Sequence, residues 1–391
     1  MAILASNLDI MYDRIAPLPT HNFFLLGPRG TGKTTWLRDR LPEALWFNLL
    51  LAKDFLPLLS NPGLIRERIL AQEEGWVVID EVQRVPALLN EVHDLISLHG
   101  KRFTFAMSGS SARKLRRMDV NLLAGRALDR RFFPLAFPEL GQKFNLEQIL
   151  RFGSLPGILS EENLAEELLE SYVSVYLREE IQQEALVKSL DSFARFLKVA
   201  GALNGSVIDS TNVARECHVG RKSVERYFDT LVDTLIAFRL PAFQPRLKVK
   251  ERVRPKYYLF DCSVVRAITG RVRILLSDSE RGNLLETYLL HEFRAAQEYL
   301  NTGGQLSYYG TERSEVDVIL SVAGEHYGFE IKATERWRPE FNRTLQELRD
   351  GGKIKAAFGI YLGKEKIQNG AVRVLPVQDF LEKLWSGDFR S

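Results

Sequence analysis

Three groups of residues in this chain have types and spacings that suit chemistry. The first is Gly27-x-x-x-x-Gly32-Lys33-Thr34, inside the stretch FFLLGPRGTGKTTWL. Glycines at that spacing let successive backbone N–H groups turn inward on phosphate oxygens, while a lysine neutralises the β and γ phosphates and the next hydroxyl ligates Mg²⁺. On this reading Gly27, Pro28, Arg29, Gly30, Thr31, Gly32, Lys33, Thr34 and Thr35 form a cradle for ATP. The second group is Asp80-Glu81, which ends the apolar run Val77 to Ile79 in GWVVIDEVQRVP. Open parallel sheets collect ligands at the carboxyl ends of their strands, so Asp80 is expected to hold Mg²⁺, through water, and Glu81 to polarise the attacking water. Ser108, closing RFTFAMSG, is placed to sense the γ phosphate; Arg126 is a candidate for a charge supplied to a neighbouring subunit's phosphate.

The third group lies far downstream. Glu330 and Lys332, in HYGFEIKA, are two apart and share one face of an expected strand. A hairpin through Val322 to Glu325 can bring Asp317 beside Glu330. Two carboxylates suit a hard Mg²⁺, the metal acidifies its water, and the lysine positions or helps deprotonate that nucleophile. Glu286, on the helix GNLLETYLLHEFRAAQEYL, resembles the extra acid that many metal-dependent nucleases contribute beside a pair such as Asp317 and Glu330; Thr34 and Asp80 are the separate metal candidates of the phosphate loop. Asp followed by Glu-x-Lys also occurs by chance in many β proteins, so a salt-bridged scaffold without metal is the competing reading.

The elements that must position these groups follow from pattern. Phe23 to Leu26 reads as a buried strand running into the loop, and Thr35 to Arg40 as the helix after it, the order strand, loop, helix that a phosphate cradle requires. The motifs GPRGTGKT, VVIDEVQRVP, MSGSS, LAGRA and FPLAFPEL resemble the prokaryotic AAA-type P-loop ATPases that carry a C-terminal domain of unknown function 4143. The resemblance runs along most of the chain and implies an ATP- and Mg²⁺-dependent parallel-sheet domain. One departure is Asn48, where many relatives place an acidic residue after the second strand.

Between the two chemistries, Glu161 to Leu203 is helical, with Leu168, Tyr172, Val175 and Tyr176 as the expected core row. Two helices then meet at a turn around Val219-Gly220, the layout of a helix-turn-helix, winged if a ribbon follows. Arg221, Lys222, Ser223 and Arg226 open the second helix and are candidates for base edges, while Val224, Phe228, Leu231 and Leu235 give it a core face that suits a protein-contact module equally well. Downstream, Arg246, Lys248, Lys250, Arg252 and Arg254 alternate with apolar residues, a ribbon that could track a phosphate backbone or simply protect an edge strand. The C-terminal order of helix, three strands, helix, strand, then strand plus helix matches the core of PD-(D/E)xK nucleases.

The expected architecture is therefore α/β in three parts: residues 1–140 an AAA-type P-loop ATPase domain, 141–260 a helical and winged helix-turn-helix region, and 261–391 a PD-(D/E)xK nuclease-like domain. Composition fits: 391 residues, 45% hydrophobic and 26% charged, suit a folded multidomain protein, and a net charge of +3 is too small to argue for nucleic acid without local clustering. Cys217 and Cys262 are too far apart in sequence for a metal-ligand spacing, and no run of about 18 apolar residues occurs, so a cytoplasmic protein without membrane partners is expected. Two functional readings stay open: an ATPase whose C-terminal modules engage DNA or RNA, with or without nuclease activity, and a nucleotide-gated interaction protein or homo-oligomer built on an inactive scaffold. A small-molecule phosphotransferase is disfavoured because no acceptor pocket is evident.

Overall fold

The computed structural model describes residues 12–111, 123, 125–177, 190–244, 254–311 and 314–389, excluding the side chains of 175–177 and 190. They form two compact units. One takes the chain up to Leu135 with Leu155–Gly157 and Asp233–Ile236; the other takes Ala136–Ser154, Ile158–Val232 and Ala237 onward. The expected boundary between residues 260 and 261 falls inside the second unit.

The first unit is a five-stranded sheet with every pairing parallel. Its strands are β1 (Phe23–Leu26), β2 (Leu45–Asn48), β3 (Gly75–Asp80), β4 (Phe103–Gly109) and β5 (Leu128–Arg131), in the order β2-β3-β4-β1-β5. Strands covered on both faces read as continuous apolar runs, which is why FFLL is buried throughout. Phe24, Leu26, Phe47, Ile79, Phe105 and Met107 pack with Leu88, Val92 and Leu95 of the helix Leu88–His99. Phe23 meets Trp36 of the helix Lys33–Arg40 edge to face. Because β4 lies between β1 and β3, the ends of the P-loop strand and the acidic strand are held one strand apart, with Leu26 paired to Gly109 and Ile79 to Met107.

In the second unit, the helices Ser210–Cys217 and Arg221–Asp233 are joined by a three-residue turn in which His218 takes a left-handed backbone (φ 53°). Val224, Phe228 and Leu231 are buried as expected, but Leu235 lies past the helix end. An antiparallel pair follows, β6 (Ala237–Leu240) with β7 (Lys256–Leu259). Arg246, Lys248, Lys250 and Arg252 lie outside the described residues.

Of the expected row on the preceding helix, Leu168 is exposed and Tyr172 only half-buried, while Ala165 and Leu169 are buried; the side chains of Val175 and Tyr176 lie outside the described residues. Leu168 and Leu169 are adjacent and both apolar, so periodicity alone cannot choose between neighbouring rows; packing selects Leu169. From Tyr172 to Leu177 the helix widens to a π-helical turn.

A long helix, Asp278–Tyr299, then leads into a mixed six-stranded sheet. Strands β8 (Gln305–Gly310), β9 (Glu315–Val322) and β10 (Glu325–Lys332) form an antiparallel meander; β11 (Ala356–Tyr361) and β13 (Val372–Pro376) add in parallel, and the short β12 (Ile367–Asn369), unforeseen from sequence, pairs antiparallel with β13. Both cysteines are buried free thiols. Among the described residues no helix is long and apolar enough to cross a membrane.

Candidate functional site

The phosphate-loop cradle is built first by backbone approach. Gly27 sits so close to β5 that a Cβ there would lie 2.2 Å from the Phe132 carbonyl oxygen, while Gly30 (φ 81°) and Gly32 (φ 90°) occupy the left-handed region where glycine costs least. The Thr31 hydroxyl donates to the Pro28 carbonyl (2.8 Å), closing the loop on itself. The Lys33 ammonium, almost fully buried, donates to the carbonyl oxygens of Gly27 (2.8 Å) and Pro28 (3.0 Å). Arg29 and Thr35 are exposed.

Across the gap, the Thr34 hydroxyl donates to both carboxylate oxygens of Asp80 (2.9 and 3.2 Å), and the Ser108 hydroxyl donates to Asp80 as well. Ser108 in turn accepts from the Glu81 amide (3.0 Å). Its hydroxyl therefore orients the acidic strand end in this structure. Asp80 has no exposed surface, and its pKa is raised, first by burial and then by the neighbouring Glu81 charge, against the lowering effect of Ser108, Thr34 and Lys33. Such a group gains most from a cation placed beside it.

Arg126 lies elsewhere. It is exposed and bonded to His93 Nε2 (2.5 Å) and the Ser97 hydroxyl (2.7 Å) on the helix Leu88–His99. Asn48 is a turn residue: its side-chain oxygen accepts from the Leu50 amide (2.9 Å), and the buried acid at this strand end is Asp54, which accepts from the Asn48 amide (3.2 Å) and pairs with Arg68 (3.0 Å).

In the second unit Asp317 and Glu330 do converge. The β9–β10 register pairs Phe329 with Val318, so the next step sets Glu330 opposite Asp317, and Asp317 accepts from the Ile331 amide (2.7 Å). Lys332 Nζ is 2.5 Å from Glu330 and 3.8 Å from Asp317. Glu286 accepts from the Tyr258 hydroxyl (3.0 Å). Burial, then the charge of Asp317, pushes both Glu286 and Glu330 up to about 8. Burial works against the charged form of Lys332, but Asp317 and Glu330 outweigh it and its pKa rises.

A second lysine enters this cluster from β7. Lys256, 3% exposed, pairs with Glu315, and the charges of Glu286, Glu315 and Asp317 raise its pKa despite burial. Among the described residues no group of three or more His, Cys, Asp or Glu is gathered closely enough to hold a metal ion by itself. Yet Glu330 Oε2 is buried without a hydrogen-bond partner there, an acceptor suited to a cation.

Two of the nucleic-acid candidates share a cavity. Arg221 pairs with Glu225 (3.0 Å) and Arg254 with Asp209 (2.8 Å), and both line a cavity of about 280 Å³ with Arg239 and Tyr257. Lys222 and Arg226 are exposed and Ser223 is half-buried.

An AAA domain is recognised over residues 20–141 and a domain of unknown function, DUF4143, over residues 281–380. The chain thus carries an N-terminal stretch similar to AAA domains and a C-terminal stretch similar to DUF4143 domains. Residues 117–273, overlapping the end of the AAA match and stopping short of the DUF4143 match, match another domain of unknown function, DUF8612. An uncharacterized protein of Mycobacterium tuberculosis is 25% identical over 352 residues, covering 88% of this chain and 76% of that protein. An uncharacterized protein of Haemophilus influenzae is 23% identical over 340 residues, covering 81% and 80%. Among solved structures, the Aeropyrum pernix ORC2 protein, in ADPNP and ADP complexes, aligns with a TM-score of 0.40 and 12% identity over 65% of this chain and 88% of its own.

Four residues escaped the sequence reading. In the AAA domain's unit, the buried Arg14 donates to the carbonyls of Thr31 (2.6 Å) and Phe133 (2.7 Å) and lies over the Phe132 ring, tying the loop to the segment after β5. Gln83 reaches back to Glu81. Lys256 and Tyr258 approach the carboxylates of the DUF4143 domain from β7. A lone Arg or Gln in a loop carries no spacing signal; a hint was available only at Lys256 and Tyr258, whose period-two alternation puts both on one face.

Proposed function

We propose that the AAA domain binds and hydrolyses ATP with Mg²⁺, and that the three parts 1–140, 141–260 and 261–391 act as motor, coupling layer and effector. The observation that carries this reading is the chain of contacts from Lys33 and Thr34 to Asp80, Ser108 and Glu81 across the ends of three neighbouring strands. The Lys33 ammonium donates to the carbonyl oxygens of Gly27 and Pro28, and an incoming phosphate can take those donors over in stronger, charge-assisted hydrogen bonds. The loop amides and the start of the helix Lys33–Arg40 add donors and a favourable dipole. Thr34 and Asp80 are the residues that would hold Mg²⁺, which supplies charge neutralisation at the β and γ phosphates. Glu81 orients the attacking water and takes its proton; Arg126 is reserved for the nucleotide of a neighbouring copy, which makes a homo-oligomer part of the proposal.

Lys33→Ala tests the reading directly. ATP turnover by the purified chain should fall to background, and a variant hydrolysing ATP at the wild-type rate would refute the assignment of the loop.

For the remaining modules we propose a winged helix-turn-helix and a PD-(D/E)xK-like fold that engage DNA or RNA. The order of elements around β8 to β13 and the pairing of Asp317 with Glu330 support it, with Asp317, Glu330 and Glu286 as the carboxylates that would hold Mg²⁺ to acidify a water, and Lys332 beside them. The ion pairs of Lys332 and Lys256 favour a second reading, a scaffold neutralised from within that responds to the nucleotide state without cleaving anything. Mg²⁺-dependent cleavage lost in Asp317→Ala, with ATP turnover intact, selects the first; wild-type protein inert toward single- and double-stranded DNA and RNA selects the second.

A further inference from the structure

Glu81 does not extend straight from β3. Its backbone is left-handed (φ 60°, ψ 46°), and the tight turn Val82–Arg84 that follows folds the chain so that the side chains two apart, Glu81 and Gln83, come together. Gln83 is buried. Its Nε2 donates to Glu81 Oε2 and to the Ser110 hydroxyl (3.1 Å), and Ser110 donates to the same carboxylate oxygen (3.3 Å). One oxygen of Glu81 is thereby fixed by two donors.

The other end of the amide is unmatched. Gln83 Oε1 is buried and has no hydrogen-bond partner among the described residues. Leaving such an acceptor unpaired is costly. The end of β4 is shaped around it: a Cβ on Gly109 would come 2.8 Å from this oxygen, so glycine is what lets the amide lie there.

We propose that Gln83 is a positioning residue for ATP hydrolysis, its Nε2 and the Ser110 hydroxyl together fixing the Glu81 carboxylate that takes a proton from the attacking water. This rests on the reading of the AAA domain as an ATPase with Glu81 as its base. One proton of the water passes to Glu81 as the water oxygen bonds to the γ phosphorus. The bond from that phosphorus to the β–γ bridging oxygen breaks with its electron pair leaving on ADP, so ATP and water give ADP, phosphate and a proton. A carboxylate held in one place defines where the water's lone pair points; one free to turn does not.

The experiment uses the full chain and compares wild type with Gln83→Leu, which keeps the volume, and Gly109→Ala, which displaces the amide without touching Glu81. Steady-state turnover gives kcat and KM, calorimetry gives the affinity for Mg²⁺ with ADP, and a thermal melt reports folding. A misdirected nucleophile costs about 100-fold, so Gln83→Leu should lower kcat by about 10- to 100-fold with KM and ADP affinity within about twofold of wild type. Gly109→Ala should lower kcat in the same direction with ADP affinity retained, and it decides the matter if Gln83→Leu fails to fold. A Gln83→Leu enzyme with wild-type kcat, or one whose kcat and ADP affinity fall together, overturns the proposal while the ATPase reading stands. A wild-type chain that binds Mg²⁺ and ADP yet never turns over ATP overturns both.

Discussion

Lys33 in the phosphate loop and Lys332 in the DUF4143 domain each stand beside carboxylates in a site that suits a divalent cation, but the two sites hold their charge differently. Lys33 rests on the carbonyl oxygens of Gly27 and Pro28, and the acid across the gap, Asp80, is satisfied by the hydroxyls of Thr34 and Ser108. Lys332 instead ion-pairs with Glu330, and Lys256 with Glu315. Carbonyl dipoles that share a lysine's protons can give way to a phosphate, whereas a half-buried ion pair yields only to a group that replaces the lost charge. The first site is prepared for an anion with its metal; the second already contains its own cations, and a metal there must compete with them.

The largest test of this contrast is Gly27→Ala. Its methyl group would meet the Phe132 carbonyl at 2.2 Å, backbone against backbone, with no flexible side chain to yield. We expect a loss above about 3 kcal/mol and no nucleotide binding by calorimetry. Retained affinity would mean that the close approach of β5 does not build the cradle.

Next in size is a pH effect confined to the other unit. The helix that carries Glu286 also buries Glu292, which accepts from the Phe137 amide (2.9 Å) and Trp385 Nε1 (2.7 Å); burial outweighs these donors and pushes it up to about 8. A carboxyl raised above its unfolded value stabilises the fold fully below about pH 4.5 and loses that contribution as pH rises through about 8. Melting temperature should fall by several degrees between pH 5 and pH 9, and Glu292→Gln should flatten that dependence while starting from lower stability. An unchanged pH slope in the variant would place the titration elsewhere.

Arg14→Met probes the cradle from outside its motif. Two charged donors to the Thr31 and Phe133 carbonyls disappear, worth about 2 kcal/mol in all if they act together. ATP affinity should weaken by about tenfold, read by calorimetry, with the melt of the DUF4143 domain unmoved. Smallest is Lys332→Met. The side chain is 30% exposed, so solvent discounts the pair and about 1 kcal/mol of stability is at stake. Affinity for Mn²⁺ should rise in calorimetry as the competing ammonium is removed, and a fall in affinity would contradict the idea of internal competition.

How readable each site was from sequence follows the same contrast. The phosphate loop is contiguous, and backbone torsions demanded by phosphate leave glycines at fixed positions, so Gly27 to Thr34 stood out in one window. Asp80 and Glu81 were readable because the strand before them is an uninterrupted apolar run. The insertion of β4 between β1 and β3 had no local signal, and that pairing is what gives Ser108 its hold on Asp80. In the second unit Glu330, Lys332 and Asp317 were found through strand period and hairpin length. Lys256 was not, because its neighbours suggested a solvent-facing basic ribbon while β7 turns this one ammonium inward. Leu168 was misassigned for want of any way to tell adjacent leucines apart without their packing partners.

The position of β4 also sets an order of events during synthesis. Among the described residues β1 pairs with β4 on one side and β5 on the other, so the first strand of the phosphate loop gains these neighbours once residue 103 and beyond have left the ribosome. A nascent fragment ending before that point keeps FFLL without its edges satisfied, and nucleotide binding must arise together with closure of the sheet rather than ahead of it.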